Sequence, residues 1–188
     1  MSAASACIKN LYEVNRAPTL CEFLTQVISN PIMPNIRFRK FRLSDQAEIQ
    51  AWPPYPPEFA ELDYALRSNG WLAEFRDRPD ASIYIAEQNL EIVAFSLLAK
   101  TSPAEAEFRI AVHPDKIGRD IGRIFTSLTL EEGVSKTHLS RIHLIVRKNN
   151  ARAISLYKQL GFRECGDGVK TANHKTVQFL MMEFLNLK

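Results

Sequence analysis

Cysteine is scarce in this 188-residue sequence: Cys7, Cys21 and Cys165 are odd in number, far apart and never in a C-x-x-C pair. That pattern argues against a disulfide framework and against a thiolate zinc site, and all three are expected to be free thiols. No apolar run approaches the roughly 20 residues that a membrane helix requires, so no membrane partner is expected. The first residues, Met1 to Asn10, have neither a basic start nor an apolar block; no secretory signal is predicted, and the cytoplasm is the default compartment. Charge of one sign is lacking as well. A net charge of +3 spread along the chain offers nucleic acid no basic stripe, yet it is compatible with a local anion site. His113, His138, His143 and His174 show no metal-ligand spacing, and no serine or cysteine stands in a nucleophile-elbow context. Neither a metal nor an acyl-enzyme is predicted.

What is present is ordinary globular material, 46% hydrophobic and 24% charged, long enough for one domain with an appendage. Residues 1–35 read as the appendage. Thr19 and Glu22 fit a capping box, and Leu20, Phe23, Leu24, Val27 and Ile28 recur at helical spacing until Asn30-Pro31. The apolar stripe of such a helix must be covered by the domain or by another subunit, so a homodimer is one of two open outcomes. The domain itself is expected over 36–188.

Ile36 to Leu43 alternates as a half-buried strand does, and Ser44-Asp45 suits a helix start. Trp52-Pro53-Pro54-Tyr55-Pro56-Pro57 cannot continue a helix; it is either a surface connection or one wall of a substrate cleft. A helix is predicted from Glu58, stopping near Asn69-Gly70. Strands are predicted over 82–87, 91–98 and 105–112, the first two joined by a hairpin at Gln88-Asn89-Leu90. A helix to about Lys136, a strand over 141–146, a helix through Tyr157 to Leu160 and two closing strands complete the pattern. Antiparallel strands followed by β-α-β-α-β indicate an α+β fold with a mixed sheet and helices on its faces.

Two stretches carry chemistry. The first runs Ile110-Ala111-Val112-His113-Pro114 into Asp115-Lys116-Ile117-Gly118-Arg119-Asp120-Ile121-Gly122-Arg123. A helix that opens after a glycine-bearing turn presents unpaired N–H groups to an anion, and Lys116, Arg119 and Arg123 add charge around it. The plain alternative is a strand-to-helix turn with solvated basic residues. The second stretch is Asn150-Ala151-Arg152-Ala153-Ile154-Ser155-Leu156-Tyr157, closed by Leu160-Gly161-Phe162. By themselves these residues read Tyr157 as a core tyrosine on an amphipathic helix and Asn150 as a helix cap or turn residue.

In order and spacing the two stretches together resemble the cofactor-binding core of the GNAT superfamily of acetyl-CoA-dependent N-acetyltransferases, over roughly residues 36 to 187. The resemblance implies a three-layer fold with a mixed, mostly antiparallel sheet of six or seven strands. It implies acetyl-CoA as co-substrate, its pantetheine arm pairing with the backbone of Ile110, Ala111 and Val112. The pyrophosphate would lie on Gly118, Arg119, Asp120, Ile121, Gly122 and Arg123, and Asn150 would contact the cofactor. Tyr157 would sit by the sulfur and protonate the leaving thiolate as a primary amine, of a small molecule or a peptide, attacks directly. The turn departs from the family's usual Gln or Arg and Gly at Ile117 and Asp120, and Asp120 is read as a cap for the following helix. The proton acceptor is assigned to Glu107, the alternatives being ordered water or a merely solvated sheet face. A non-catalytic module that senses acyl-CoA or binds a partner is the second reading.

Overall fold

A computed structural model of the chain describes residues 35–57, 59, 64–67, 69–172 and 175–186, all within the unit Ile32–Lys188. The helix expected after Thr19 lies outside the described residues, as does most of the one expected from Glu58. Seven strands, β1 (Ile36–Lys40), β2 (Ala81–Gln88), β3 (Glu91–Ser102), β4 (Glu105–Val112), β5 (Arg141–Arg147), β6 (Arg163–Ala172) and β7 (Lys175–Leu185), form one sheet in the order β1-β2-β3-β4-β5-β7-β6. All neighbours are antiparallel except β4 and β5. That single parallel pair follows from the crossover between them, because a parallel return needs a long connection, here a helix of 15 residues. Among the described residues the α-helices are α1 (Asp45–Gln50), α2 (Trp71–Phe75), α3 (Ile121–Ser135) and α4 (Ala151–Gln159). The chain therefore has the mixed α+β architecture that its sequence predicts.

Alternation along the strands sorts the core into two layers. On one face Ile83, Ile85, Phe95, Leu97 and Ala111 pack against Ile49, Trp52, Trp71, Leu72 and Phe75 from α1, α2 and their connection. On the other, Gly133 of α3 sits against Leu98 and Ile142, and Phe125 of the same helix meets Phe38 at 5.7 Å between ring centroids. β3 is buried from Ile92 to Ala99, as a central strand covered on both faces must be. α1 and α2 cover only β1 to β4; on the same side of β5 and β7, Ile145 and Met181 are register partners with 42% and 40% of their surface exposed.

Two elements differ from expectation. Gly70 starts a helix instead of stopping one: with φ −80° and ψ 177° it is the N-cap of α2. A Cβ there would stand 1.8 Å from the Tyr64 carbonyl oxygen, so close approach, not helix termination, is what requires glycine. β6, the first of the two closing strands, expected over 162–165, runs on through Gly166 and Gly168 to Ala172, because β7 supplies a pairing partner along that length. The β2–β3 hairpin forms as predicted, with Asn89 and Leu90 both left-handed at φ 53° and 69°.

Candidate active site

The sheet is continuous only to a point. β4 and β5 pair at Glu105–Arg141, Ala106–Ile142 and Glu107–His143 and no further. Beyond, Phe108 to Val112 keep β3 on one side alone, and Leu144 to Arg147 keep β7 on the other. The two strands part, leaving a slot between two free backbone edges in the middle of a sheet. Edges of that kind accept an extended chain in place of the missing strand.

Backbone phase decides which residues face the slot. The His113 amide donates to the Val93 carbonyl at 2.9 Å, and Ala111 is the register partner of Phe95. Antiparallel pairs alternate, so Ala111 turns its N–H and C=O to β3 while Ile110 and Val112 turn theirs to the slot. The Val112 carbonyl already accepts a 2.7 Å hydrogen bond from the Tyr55 hydroxyl. Tyr55 and Trp52, whose ring stands 4.9 Å from that of His113, fasten the proline-rich segment over this end of the slot. A surface connection would not be buried this way: Tyr55 is 4% and Trp52 8% exposed.

β4 then runs through a short turn of 3₁₀ helix, Pro114–Lys116, into the glycine-bearing segment. Gly118 has φ +94°, a left-handed conformation that disfavours any side chain. Asp120 also lies left-handed at φ 64°, at the N-cap of α3, but its side chain makes no capping bond. The expected cap is thus corrected. Both Asp120 oxygens instead accept from Arg123, at 2.9 and 3.0 Å from Nε with a further close contact from Nη2, and the left-handed backbone departs from the extended one from which an N-cap side chain reaches its first turn. The pairing holds the Asp120 carboxyl below its ordinary value and the Arg123 guanidinium above. Lys116 reaches Glu91 at 3.4 Å. Arg119 is exposed, and Ile121 is 1% exposed. At Gly122 a Cβ would meet Val112 Cγ2 at 3.6 Å and Leu156 Cδ1 at 3.7 Å, so β4, α3 and α4 converge here.

α4 supplies the remaining side chains. The Asn150 side-chain oxygen accepts from the Ala153 amide at 3.1 Å and caps the helix. Tyr157 sits one face down, 9% exposed, its ring edge-on to Phe108 at 6.4 Å and tilted against Phe162 at 5.5 Å. Phe108 is the first residue past the last β4–β5 pair, so Tyr157 packs beside the point where the strands part. Burial pushes its phenol up, well above the ordinary tyrosine value, and keeps it protonated. The Arg152 side chain, which no motif singles out, extends back over the turn, its two terminal nitrogens 3.5 and 3.7 Å from where a Cβ on Gly118 would stand. The signal in the sequence is an arginine in the first turn of a helix, where the dipole disfavours it.

Glu107 lies at the vertex, on the α1–α2 side of the sheet, opposite Tyr157. Its Oε1 accepts from Arg109 Nε at 2.8 Å. Its register partner His143 approaches Thr101 Oγ1 at 3.2 Å, and burial, with Arg141 nearby, holds that imidazole below its ordinary value.

A slot between backbone edges, with a glycine turn at a helix N-terminus at one end and a buried phenol beside it, is a layout that suits an extended amide arm with an anionic tail. The matching family model is the acetyltransferase (GNAT) family, over residues 45–162, and the chain belongs to that family. Among curated relatives, the spermidine N(1)-acetyltransferase of Escherichia coli is 34% identical over 62 residues, 33% of this chain and 33% of the relative. The ribosomal protein bS18-alanine N-acetyltransferase of the same organism is 35% identical over 77 residues, 41% of this chain and 51% of the relative. The chain thus spans about half or less of these relatives' lengths. Among solved structures, spermidine N-acetyltransferase from Vibrio cholerae in complex with CoA and spermine superposes with TM-score 0.61 at 18% identity, covering 80% of this chain and 95% of that one. At that identity the likeness establishes the fold.

Proposed function

We propose that the chain is an acetyl-CoA-dependent N-acetyltransferase that moves an acetyl group to a primary amine by direct attack. The observation that carries the proposal is the parting of β4 and β5 beside Tyr157 in a chain of this family. Residues 36–188 form the transferase and 1–35 an appendage to it. Acetyl-CoA supplies the acetyl group activated as a thioester. Ile110, and Val112 through its N–H, face the slot with the backbone groups that pair with its pantetheine arm, while the Val112 carbonyl is held by Tyr55 and Ala111 keeps the strand in phase by pairing to β3. The turn from Gly118 through Arg119, Asp120, Ile121, Gly122 and Arg123 receives the pyrophosphate at the N-terminus of α3. Asn150 fixes the start of α4 and with it the position of Tyr157.

As the amine nitrogen bonds to the acetyl carbon and the carbon–sulfur bond breaks, the amine must lose one proton and the thiolate gain one. Tyr157 donates the second of these. Its raised phenol is a weak acid, yet a thiolate forming in the same dry slot is deprived of water as well, so the two proton affinities rise together. Glu107 accepts the first, directly or through water, from an amine arriving on the α1–α2 side past Ile145.

The spermidine and ribosomal-alanine relatives both act on primary amines, and a small-molecule or peptide amine is the acceptor class we assign. A second reading, a non-catalytic acyl-CoA sensor, is favoured by the carboxylate of Asp120 in the anion turn and by the engagement of Glu107 with Arg109. A panel of polyamines, amino acids and N-terminal peptides assayed for CoA release separates the two: turnover of any amine above the hydrolysis background supports the transferase. CoA binding with no turnover across the panel supports the sensor and overturns the transferase.

A further inference from the structure

We infer that Arg152 is a direct ligand of the donor's diphosphate, closing over the Gly118 turn from the α4 side; the inference rests on the acetyl-CoA reading above. The guanidinium lies within 3.5 and 3.7 Å of where a Cβ on residue 118 would stand, in contact with a turn whose left-handed φ of +94° favours glycine. Ile117, just before it, offers the turn no polar side chain.

The distribution of charge points the same way. Of the cations on the turn, Lys116 is engaged by Glu91 and Arg123 by Asp120, so much of their charge is already met within the protein, which leaves the exposed Arg119 and, from α4, Arg152. Among the described residues no carboxylate pairs with Arg152. It sits instead in the first turn of α4, which contains no acidic residue, and the first turn of α3 contains none either. A guanidinium at the positive end of a helix is unfavourable in the empty protein, and an anion bound between the two helix starts reverses the sign. A local rule is broken where a ligand would repair it. Arginine rather than lysine suits the role, since its planar fork offers parallel donors to two oxygens of one phosphate.

The test is calorimetric titration of the full chain and its Arg152→Gln and Arg152→Lys variants with CoA and with 3′-dephospho-CoA. Arg152→Gln should weaken both ligands by about 10- to 100-fold, the loss expected for one charge-assisted contact, with Arg152→Lys in between. The melting temperature without ligand should hold or rise, because the side chain is exposed and its charge opposes the helix dipole. If Arg152→Gln binds CoA as tightly as the wild type, the inference fails and the acetyl-CoA reading stands. If the loss is confined to CoA and absent with 3′-dephospho-CoA, the contact is to the 3′-phosphate and the diphosphate assignment is overturned. If the wild type binds neither ligand, the acetyl-CoA reading fails and takes the inference with it.

Discussion

Tyr157 is asked to be two things at once, a packed ring and a proton donor, and the structure lets the two be separated. Its ring fills the space between Phe108 and Phe162, and no hydrogen bond ties its hydroxyl to a described residue. Tyr157→Phe therefore keeps the packing and removes only the proton, so the melting temperature and CoA affinity should stay near wild type. kcat with an accepted amine should fall by roughly 10² to 10⁴, the worth of a positioned general acid. Because burial raises the phenol, its ionisation should not limit kcat below about pH 10, the ordinary tyrosine value. Wild-type turnover by the variant under conditions where chemistry is rate-limiting would hand the proton to water, and unfolding would make Tyr157 a core residue first. The tyrosine was legible because its motif is local, eight residues of one helix and its cap. Arg152 was not, although it lies in the same motif, since what gives it meaning is its reach across space to Gly118.

The turn from Ile117 to Arg123 shows how an element resolves a competition that its sequence leaves open. Asp120 has the side chain of an N-cap at the N-cap position, and spacing alone assigns it that work. In the folded turn its backbone is left-handed at φ 64°, not the extended conformation from which a cap reaches the first turn, and its carboxylate meets Arg123, three residues on along α3. Asp120→Gly should make the left-handed φ of 64° easy to adopt, a gain of about 1 kcal/mol that offsets the loss of a largely exposed ion pair worth about 0–1 kcal/mol. Unliganded stability should thus change little. Affinity for CoA should rise by roughly fivefold or more, about 1 kcal/mol, because one negative charge leaves the proposed phosphate site. Titration calorimetry checks this, and weaker binding would mean that the Asp120–Arg123 pair holds the turn in shape. The same limit governs what else could be read from sequence. β4, α3, β5 and α4 are strongly periodic and were visible, whereas the extension of β6 past Cys165 depends on its pairing with β7 and the need for glycine at position 70 on the approach of Tyr64, both being facts of tertiary contact.

For the molecule as a whole, the slot between β4 and β5 is a gap in the sheet that unfolding would abolish, so a ligand that fills it binds the native state alone. CoA at about 100 times its dissociation constant should then add about 2.7 kcal/mol to unfolding, a rise of roughly 5–10 °C in melting temperature for a chain of this size. Gly122 makes the prediction specific to the site. A Cβ there meets Val112 and Leu156 at 3.6 and 3.7 Å, ordinary contact distances, so a side chain is sterically admissible and the backbone is not strained. Gly122→Ala should raise the unliganded melting temperature slightly, since alanine favours the helix by about 1 kcal/mol over glycine, and should keep most of the CoA shift. Gly122→Asp should fold equally well, a carboxylate being favourable in the first turn of α3, yet lose the shift because that carboxylate stands at the proposed pyrophosphate site. Thermal melts of the three proteins with and without CoA decide the matter. A full shift in Gly122→Asp would move the phosphate site away from this turn even if CoA binding itself were secure, and loss of the shift in Gly122→Ala as well would show that the backbone, not the charge, governs the fit.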